Sequence, residues 1–283
     1  DWRMLFLHRD RLREVSAADV QRVALRYFKS SNRTMGMFLP TSEPDRAEIP
    51  AVPDLNAALA GYQGRGSVAQ GEGFNPTPAN IEARTLRRTL PNGMKLALLP
   101  KKTRGNTVDA QIVLHWGDEQ SKTGRATACG IASAMLGRGT LNKTREQVTN
   151  ELTRLRARVG VGLEGGSVDT VRESLPGALA LLAEMLRQPS FPQEEFEQLR
   201  QSSLASIESQ RSDPSARASL ALTRHLRPFP EQHWYYNSSP EERIERLKAL
   251  SLEDVRRCHA DFLGASYAEL AVVGDFDPAQ VTQ

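Results

Sequence analysis

The sequence predicts an α+β fold, an antiparallel sheet packed against helices, on three observations. Asn92-Gly93 is a strong two-residue hairpin signal, set between the strand-like segments 85–90 and 94–99. Strand signals then gather ahead of a run of helices, with one more strand after them. That order fits an antiparallel sheet better than regular strand–helix–strand winding. Finally, Val15-Ser-Ala-Ala-Asp-Val-Gln-Arg22 resembles Leu250-Ser-Leu-Glu-Asp-Val-Arg-Arg257, at an offset of 235 residues (250 minus 15). Both segments lead into an aromatic-bearing helix end and an apolar stretch. They read as one α+β unit in tandem, with one copy nearly complete.

Residues 1–40 carry a helix opened by the capping box Ser16-Ala-Ala-Asp19, with Val20, Val23, Ala24 and Tyr27 at helical spacing. A strand is expected over 34–39. One helix and one strand cannot bury a core, so 1–40 reads as the C-terminal tail of a preceding α+β domain. Residues 41–83 are rich in Pro and Gly and show no sustained period. They read as a linker, because so long a stretch without a repeat is uncommon inside one compact domain.

The main body, 84–283, starts with the hairpin. Val108, Ala110, Ile112, Leu114 and Trp116 alternate with polar residues and predict a half-buried strand over 107–116. A small-residue helix is expected over 124–137. Thr144-x-x-Gln147 opens another helix, with Val148, Leu152, Leu155 and Val159 assigned to one face. One or two short strands are expected within 161–171, around Gly165-Gly166. Pro176, Pro192, Pro214 and Pro240 each stand in the first turn of an expected helix. A last helix is expected over 252–263 and a buried strand over 268–273.

Composition removes several classes of function. Lys+Arg 37 against Asp+Glu 34 leaves a net charge of +3, and the basic residues are scattered. No basic patch points to nucleic acid. No apolar run approaches the roughly 18–20 residues that span a bilayer. The chain begins with Asp1 and reads as a piece of something longer. Its two cysteines, Cys129 and Cys258, are too few for a disulfide framework or a structural zinc site, and read as small core residues.

The histidines are scattered as well. His225 and His233 are separated by Pro228 and Pro230, and His8, His115 and His259 have no ligand-spaced partner. Glu194, Glu195 and Glu197 crowd an expected helix N-terminus, where they favour the helix dipole. Asp275 and Asp277 flank Phe276 and are expected to shape a turn and cap the next helix. Gly160, Gly162, Gly165 and Gly166 are not followed by the Lys-Ser/Thr of a phosphate-binding loop.

At this point the residues resemble a known family. Leu90-Pro-Asn-Gly-Met-Lys-Leu96 is similar to the first hairpin of insulinase/pitrilysin zinc metallopeptidases. So are the helix from Gly124 to Arg138-Gly139-Thr140, the segment Gln232-His-Trp234, and the stretch from Leu250 through Glu269-Leu-Ala-Val-Val-Gly-Asp-Phe-Asp277. The resemblance covers 84–283, with 1–40 matching the end of a preceding domain. It implies two similar halves joined by a long linker and closing on an unfolded peptide. Residues 41–83 would be that linker, and 84–283 the first domain of the second half, truncated at its C-terminus.

Active members carry His-x-x-Glu-His on the helix ending in the Gly-Thr pair. Histidines at i and i+4 share a helical face and both reach a tetrahedral zinc, and the Glu activates the metal-bound water. Counted back from Arg138-Gly139-Thr140, those positions fall on Gly130, Ser133 and Ala134. The third-ligand region, where the family has two Glu seven residues apart, falls on Leu199 and Ser206. No histidine occurs between Trp116 and Arg224, so the register does not decide the outcome. The resemblance therefore implies no catalytic residue and no cofactor in this segment, with zinc in the catalytic half of the parent.

The expected function is the non-catalytic half of an insulinase-like zinc endopeptidase, closing the chamber and helping to bind extended peptides. Its partners would be the catalytic half of the same parent chain, or a homologous subunit, and unstructured peptides. Family analogy favours the periplasm. The alternative is a catalytically dead member acting as a scaffold or as a subunit of an assembly or processing complex. An independent enzyme within 84–283 finds no support, because no nucleophile–base pair is present.

Overall fold

The turn at Asn92-Gly93 starts the sheet. Gly93 has φ +92°, and a Cβ there would come within 2.8 Å of the Ser266 carbonyl oxygen, so only glycine fits. The turn joins β1 (Leu86–Thr89) to β2 (Lys95–Pro100). The remaining strands are β3 (Thr107–Leu114), β4 (Arg158–Gly162), β5 (Gly165–Val171) and β6 (Ala268–Gly274). This computed structural model describes residues 2–37, 59–61 and 70–282. The chain divides into two units, Asp1–Ser67 and Val68–Gln283.

In the larger unit the strand order is β1-β2-β6-β3-β5-β4. All neighbours are antiparallel except β2 and β6, which run parallel. The expected antiparallel sheet is thus corrected at one pair, because the last strand enters the sheet between the first hairpin and β3. Leu98, Val272, Ala110, Val168 and Val159 are register neighbours across five strands, and the first four are buried. On the opposite face the row Ala97, Ala271, Gln111, Ser167 and Gly160 is small or polar and mostly exposed. β6 is therefore half-buried rather than buried, its exposure alternating with the pleat.

The larger unit also carries the helices. They are α3 (Pro78–Arg84), α4 (Ala126–Met135), α5 (Arg145–Arg154), α6 (Leu175–Arg187), α7 (Gln193–Arg211), α8 (Pro214–Leu226), α9 (Pro240–Ala249), α10 (Leu252–Phe262) and α11 (Pro278–Thr282). Capping boxes start α5 at Thr144, α9 at Ser239 and α10 at Ser251. α6 lies on β5 and β4, and α4 packs against α10 and α7. Met135, Leu136, Leu175, Phe196 and Val255 are almost completely excluded from water, each contributing roughly 1.5–3 kcal/mol by burial.

Several expectations give way here. α5 stops at Arg154, and Arg156 has φ +49°, so Val159 lies in β4 instead of continuing the helix. The β4–β5 turn falls at Leu163-Glu164, one step before the glycine pair. The expected linker over 41–83 overlaps α3, and Glu72 is tied to the β2 end through the backbone of Lys102. Residues 41–58 and 62–69 lie outside the described residues.

The cysteines depart furthest from expectation. Cys129 on α4 and Cys258 on α10 form a disulfide, with Cα atoms 5.4 Å apart, because the two helices pack directly and both side chains face the seam. The bridge spans 129 residues, and a loop of that length gives a stabilisation of about 5 kcal/mol on chain-entropy grounds.

The smaller unit contains α1 (Arg3–Glu14) and α2 (Ala17–Tyr27). Ser16 and Asp19 form the capping box. No strand occurs over 33–37, and the rest of the strand expected over 34–39 lies outside the described residues.

Candidate functional site

α4 forms because its sequence, Ala-Thr-Ala-Cys-Gly-Ile-Ala-Ser-Ala-Met, is dominated by small residues that let neighbouring elements approach closely. Cys129, Ala132 and Met135 form its buried face. Its C-terminal corner is fixed by charge. Arg138 donates to Glu195 of α7 at 2.8 Å, and Thr140 Oγ1 donates to Glu184 of α6 at 2.6 Å. Lys143 and Thr140 hold the Glu184 carboxyl below its usual range, against a smaller opposing effect of burial.

Gly130 and Ala134 are exposed on α4, and Ser133 is half-buried. The Ser133 hydroxyl accepts a hydrogen bond from the Leu163 amide at 3.1 Å, latching α4 to the β4–β5 turn. Gly162 permits this approach, since a Cβ there would lie 2.8 Å from Ser133 Oγ. A Cβ on Gly130 would meet nothing within 4 Å, so packing does not demand glycine at that position. Leu199 on α7 packs against the core and Ser206 is exposed. The packing of α4 on α7 brings the two elements together, but these five side chains offer no imidazole or carboxylate. Zinc does not fit them. Among the described residues no group of three or more His, Cys, Asp or Glu could hold a metal ion.

A groove of about 530 Å³ opens beside Gly130 and Ser133. Its floor is the backbone of residues 160–166, and Trp116 and Trp234 flank it. The two indoles meet edge to face with centroids 5.4 Å apart, and Trp116 also contacts Phe262 at 5.0 Å. The Lys122 ammonium lies 5.1 Å from the Trp116 ring, a favourable cation–π distance. Among the described residues β4 pairs only with β5, which makes it an edge strand of the sheet. The groove has apolar walls and backbone hydrogen-bonding capacity, with Gln111, Ser133, Glu164 and Ser167 as its polar side chains.

The histidines have ordinary partners. His259 Nε2 donates to the Leu186 carbonyl at 2.7 Å, and its ring packs edge-on against Phe191. His233 Nε2 lies 2.7 Å from a Glu119 carboxylate oxygen. Its Nδ1 accepts from the Tyr235 amide and its ring stacks on Phe229 at 4.2 Å. His8, His115 and His225 are exposed. Glu195 and Glu197, near the N-terminus of α7, are also engaged by arginines: Glu195 by Arg138 and Arg145, Glu197 by Arg200. Asp277 accepts from the Ala279 amide, as expected of a cap. Asp275 instead is buried and ion-paired with Lys102 and Arg172.

Sequence reasoning noted Trp116 and Trp234 only as members of a strand and a helix approach. Their convergence depends on the fold, and nothing local announces it.

No family model matches the sequence, and no curated protein does either. Solved structures do match, at full probability. A peptidase M16 inactive domain from Pseudomonas fluorescens superposes with TM-score 0.58 at 21% identity, over 70% of this chain and 48% of that one. The first half of the periplasmic protease PqqL from Escherichia coli gives TM-score 0.53 at 13% identity, over 76% and 45%. Pitrilysin gives TM-score 0.53 at 12% identity, over 76% and 23%. The larger unit thus has the α+β fold found in halves of M16 peptidases. The match spans about half the length of the first two chains. Among the described residues, no helix is long and apolar enough to cross a membrane.

Proposed function

We propose that this chain is the non-catalytic half of an insulinase-like zinc endopeptidase, acting by shape while the chemistry belongs to a zinc-bearing companion half. The observation that carries the reading is the M16-type fold; the count back from Arg138-Gly139-Thr140, which assigns the ligand–base positions to Gly130, Ser133 and Ala134, supports it. In this reading Ser133 has become a structural latch between α4 and the β4–β5 turn. The half closes a chamber that admits unfolded chains and excludes folded ones by size. The edge position of β4 in the sheet suits an extended peptide added as a further strand. Trp116 and Trp234 offer apolar walls to its side chains.

The smaller unit supports the same reading. Ser16-Asp19 and Ser251-Asp254 form identical capping boxes. Val20 and Val23 correspond to the buried Val255 and Cys258, yet are 59% and 44% exposed. α2 is then the closing helix of another α+β domain, one belonging to the companion half.

The test is reconstitution. The chain alone should not cleave unstructured peptides. Added to the companion half, it should raise kcat/KM at least tenfold, and a chelator should abolish the gain. Chelator-sensitive turnover by the chain alone would overturn the reading. A companion lacking His-x-x-Glu-His would replace it with the scaffold role.

A further inference from the structure

We infer that this chain folds and works in an oxidising compartment, where a disulfide-donating thiol oxidoreductase joins Cys129 to Cys258. The inference stands apart from the peptidase reading, because it uses only the bridge and its surroundings.

The chain has two cysteines, so no alternative intramolecular pairing exists. They lie on different helices, α4 and α10, 129 residues apart, and meet across the helix seam. Packing alone does not call for sulfur there. In the repeated helix α2, Val23 occupies the place that Cys258 holds in α10. The helix repeat thus has a valine where α10 has cysteine, and the cysteine pair adds a covalent tie between α4 and α10.

Both side chains are 1% exposed. A reductant or oxidant the size of glutathione cannot reach either sulfur in the folded chain, and exchange requires a thiolate with access to the disulfide it attacks. The bridge must therefore form before α4 and α10 close on one another. Two thiols lose two protons and two electrons in doing so. The acceptor is the disulfide of the oxidoreductase, which passes through a mixed disulfide with this chain and leaves as a dithiol. A reducing cytosol would instead let the helices close over two thiols and keep them so.

Thiol trapping decides the matter. Cells that make the chain naturally are quenched in acid and denatured with N-ethylmaleimide and no reductant, and the cysteine peptides are read by mass spectrometry. The expected result is no maleimide on either cysteine and one cross-linked peptide pair. Maleimide on both would overturn the inference, as would recovery of the chain with cytosolic marker enzymes. A melt of the purified full chain gives a second reading. Reduction in denaturant followed by refolding in reductant should lower Tm by about 10 °C or more. The C129A/C258A variant should melt with the reduced chain, and an unchanged Tm in both would count against the bridge.

Discussion

Asp275 directly follows β6 and is only 5% exposed. Burial opposes its ionisation, but Lys102 at 3.1 Å and Arg172 at 2.7 Å outweigh that and hold its pKa below the usual carboxylate value. A carboxyl depressed in the folded state adds stability that is present above its unfolded pKa, about 4. That stability is lost as pH falls through the lower folded value. Asp275→Asn should therefore cost about 1–2 kcal/mol at pH 7, a modest figure because both cations are partly solvated. The difference from the native chain should shrink below pH 4. Urea midpoints at pH 7 and pH 3 would check it, and an equal loss at both would refute the ionic account. The sequence showed Asp275 beside a turn but hid its role, because its partners lie 173 and 103 residues away. Ser251 is the opposite case, since its capping partner is three residues on. Ser251→Ala should cost about 1 kcal/mol in thermal or urea unfolding.

At the scale of elements, signals written within a few residues translated directly into structure. The capping boxes at Ser16 and Thr144, the hairpin at Gly93 and the prolines Pro176, Pro214 and Pro240 sit where their spacing placed them, whereas Pro192 falls at the N-cap, just before its helix. Errors arose where a distant partner chose the outcome. Val159 fits the α5 face by spacing, yet its register with Val168 makes it a strand residue. The cysteines pair only because α4 lies on α10. The candidate site divides in the same way: the positions assigned to the motif come from a count back from Arg138-Gly139-Thr140, whereas the tryptophan-walled groove has no local signal. The α4 reading has a direct test. The native chain, dialysed and analysed for metal, should hold no stoichiometric zinc. G130H and A134H restore the i, i+4 pair at exposed positions, and S206E adds a carboxylate on α7 without disturbing the core. This triple variant should retain about one zinc per chain through gel filtration. If it folds and holds none, the assignment of the motif positions is wrong. Ser133→Glu is left out, because it would break the latch to Leu163 and crowd Gly162.

For the whole molecule, the two copies of one helix provide an internal control. Val255 is fully buried in α10, and its counterpart Val20 in α2 is 59% exposed. Tyr27 and Phe28 extend the apolar stripe of α2, and Phe28 is 90% exposed. A stripe of this kind on an otherwise polar helix marks a contact surface. The isolated chain should accordingly bind an apolar-surface dye strongly. Val255→Asp places an unpaired charge in the core and should abolish cooperative folding of the larger unit, a penalty of several kcal/mol. Val20→Asp paired with Val23→Asp should leave the melt of the larger unit within about 0.5 kcal/mol of the native value. It should also suppress the dye signal and weaken capture of the companion half at least tenfold. Val20→Asp repeats at the equivalent helix position the change made by Val255→Asp, and the α2 variant carries one Val→Asp change more, so helix propensity alone would make it the more damaging of the two. If both leave the larger unit intact, the packing around α10 has been misread. If the α2 variant captures the companion half as well as the native chain does, its apolar face is not the contact that joins the two halves.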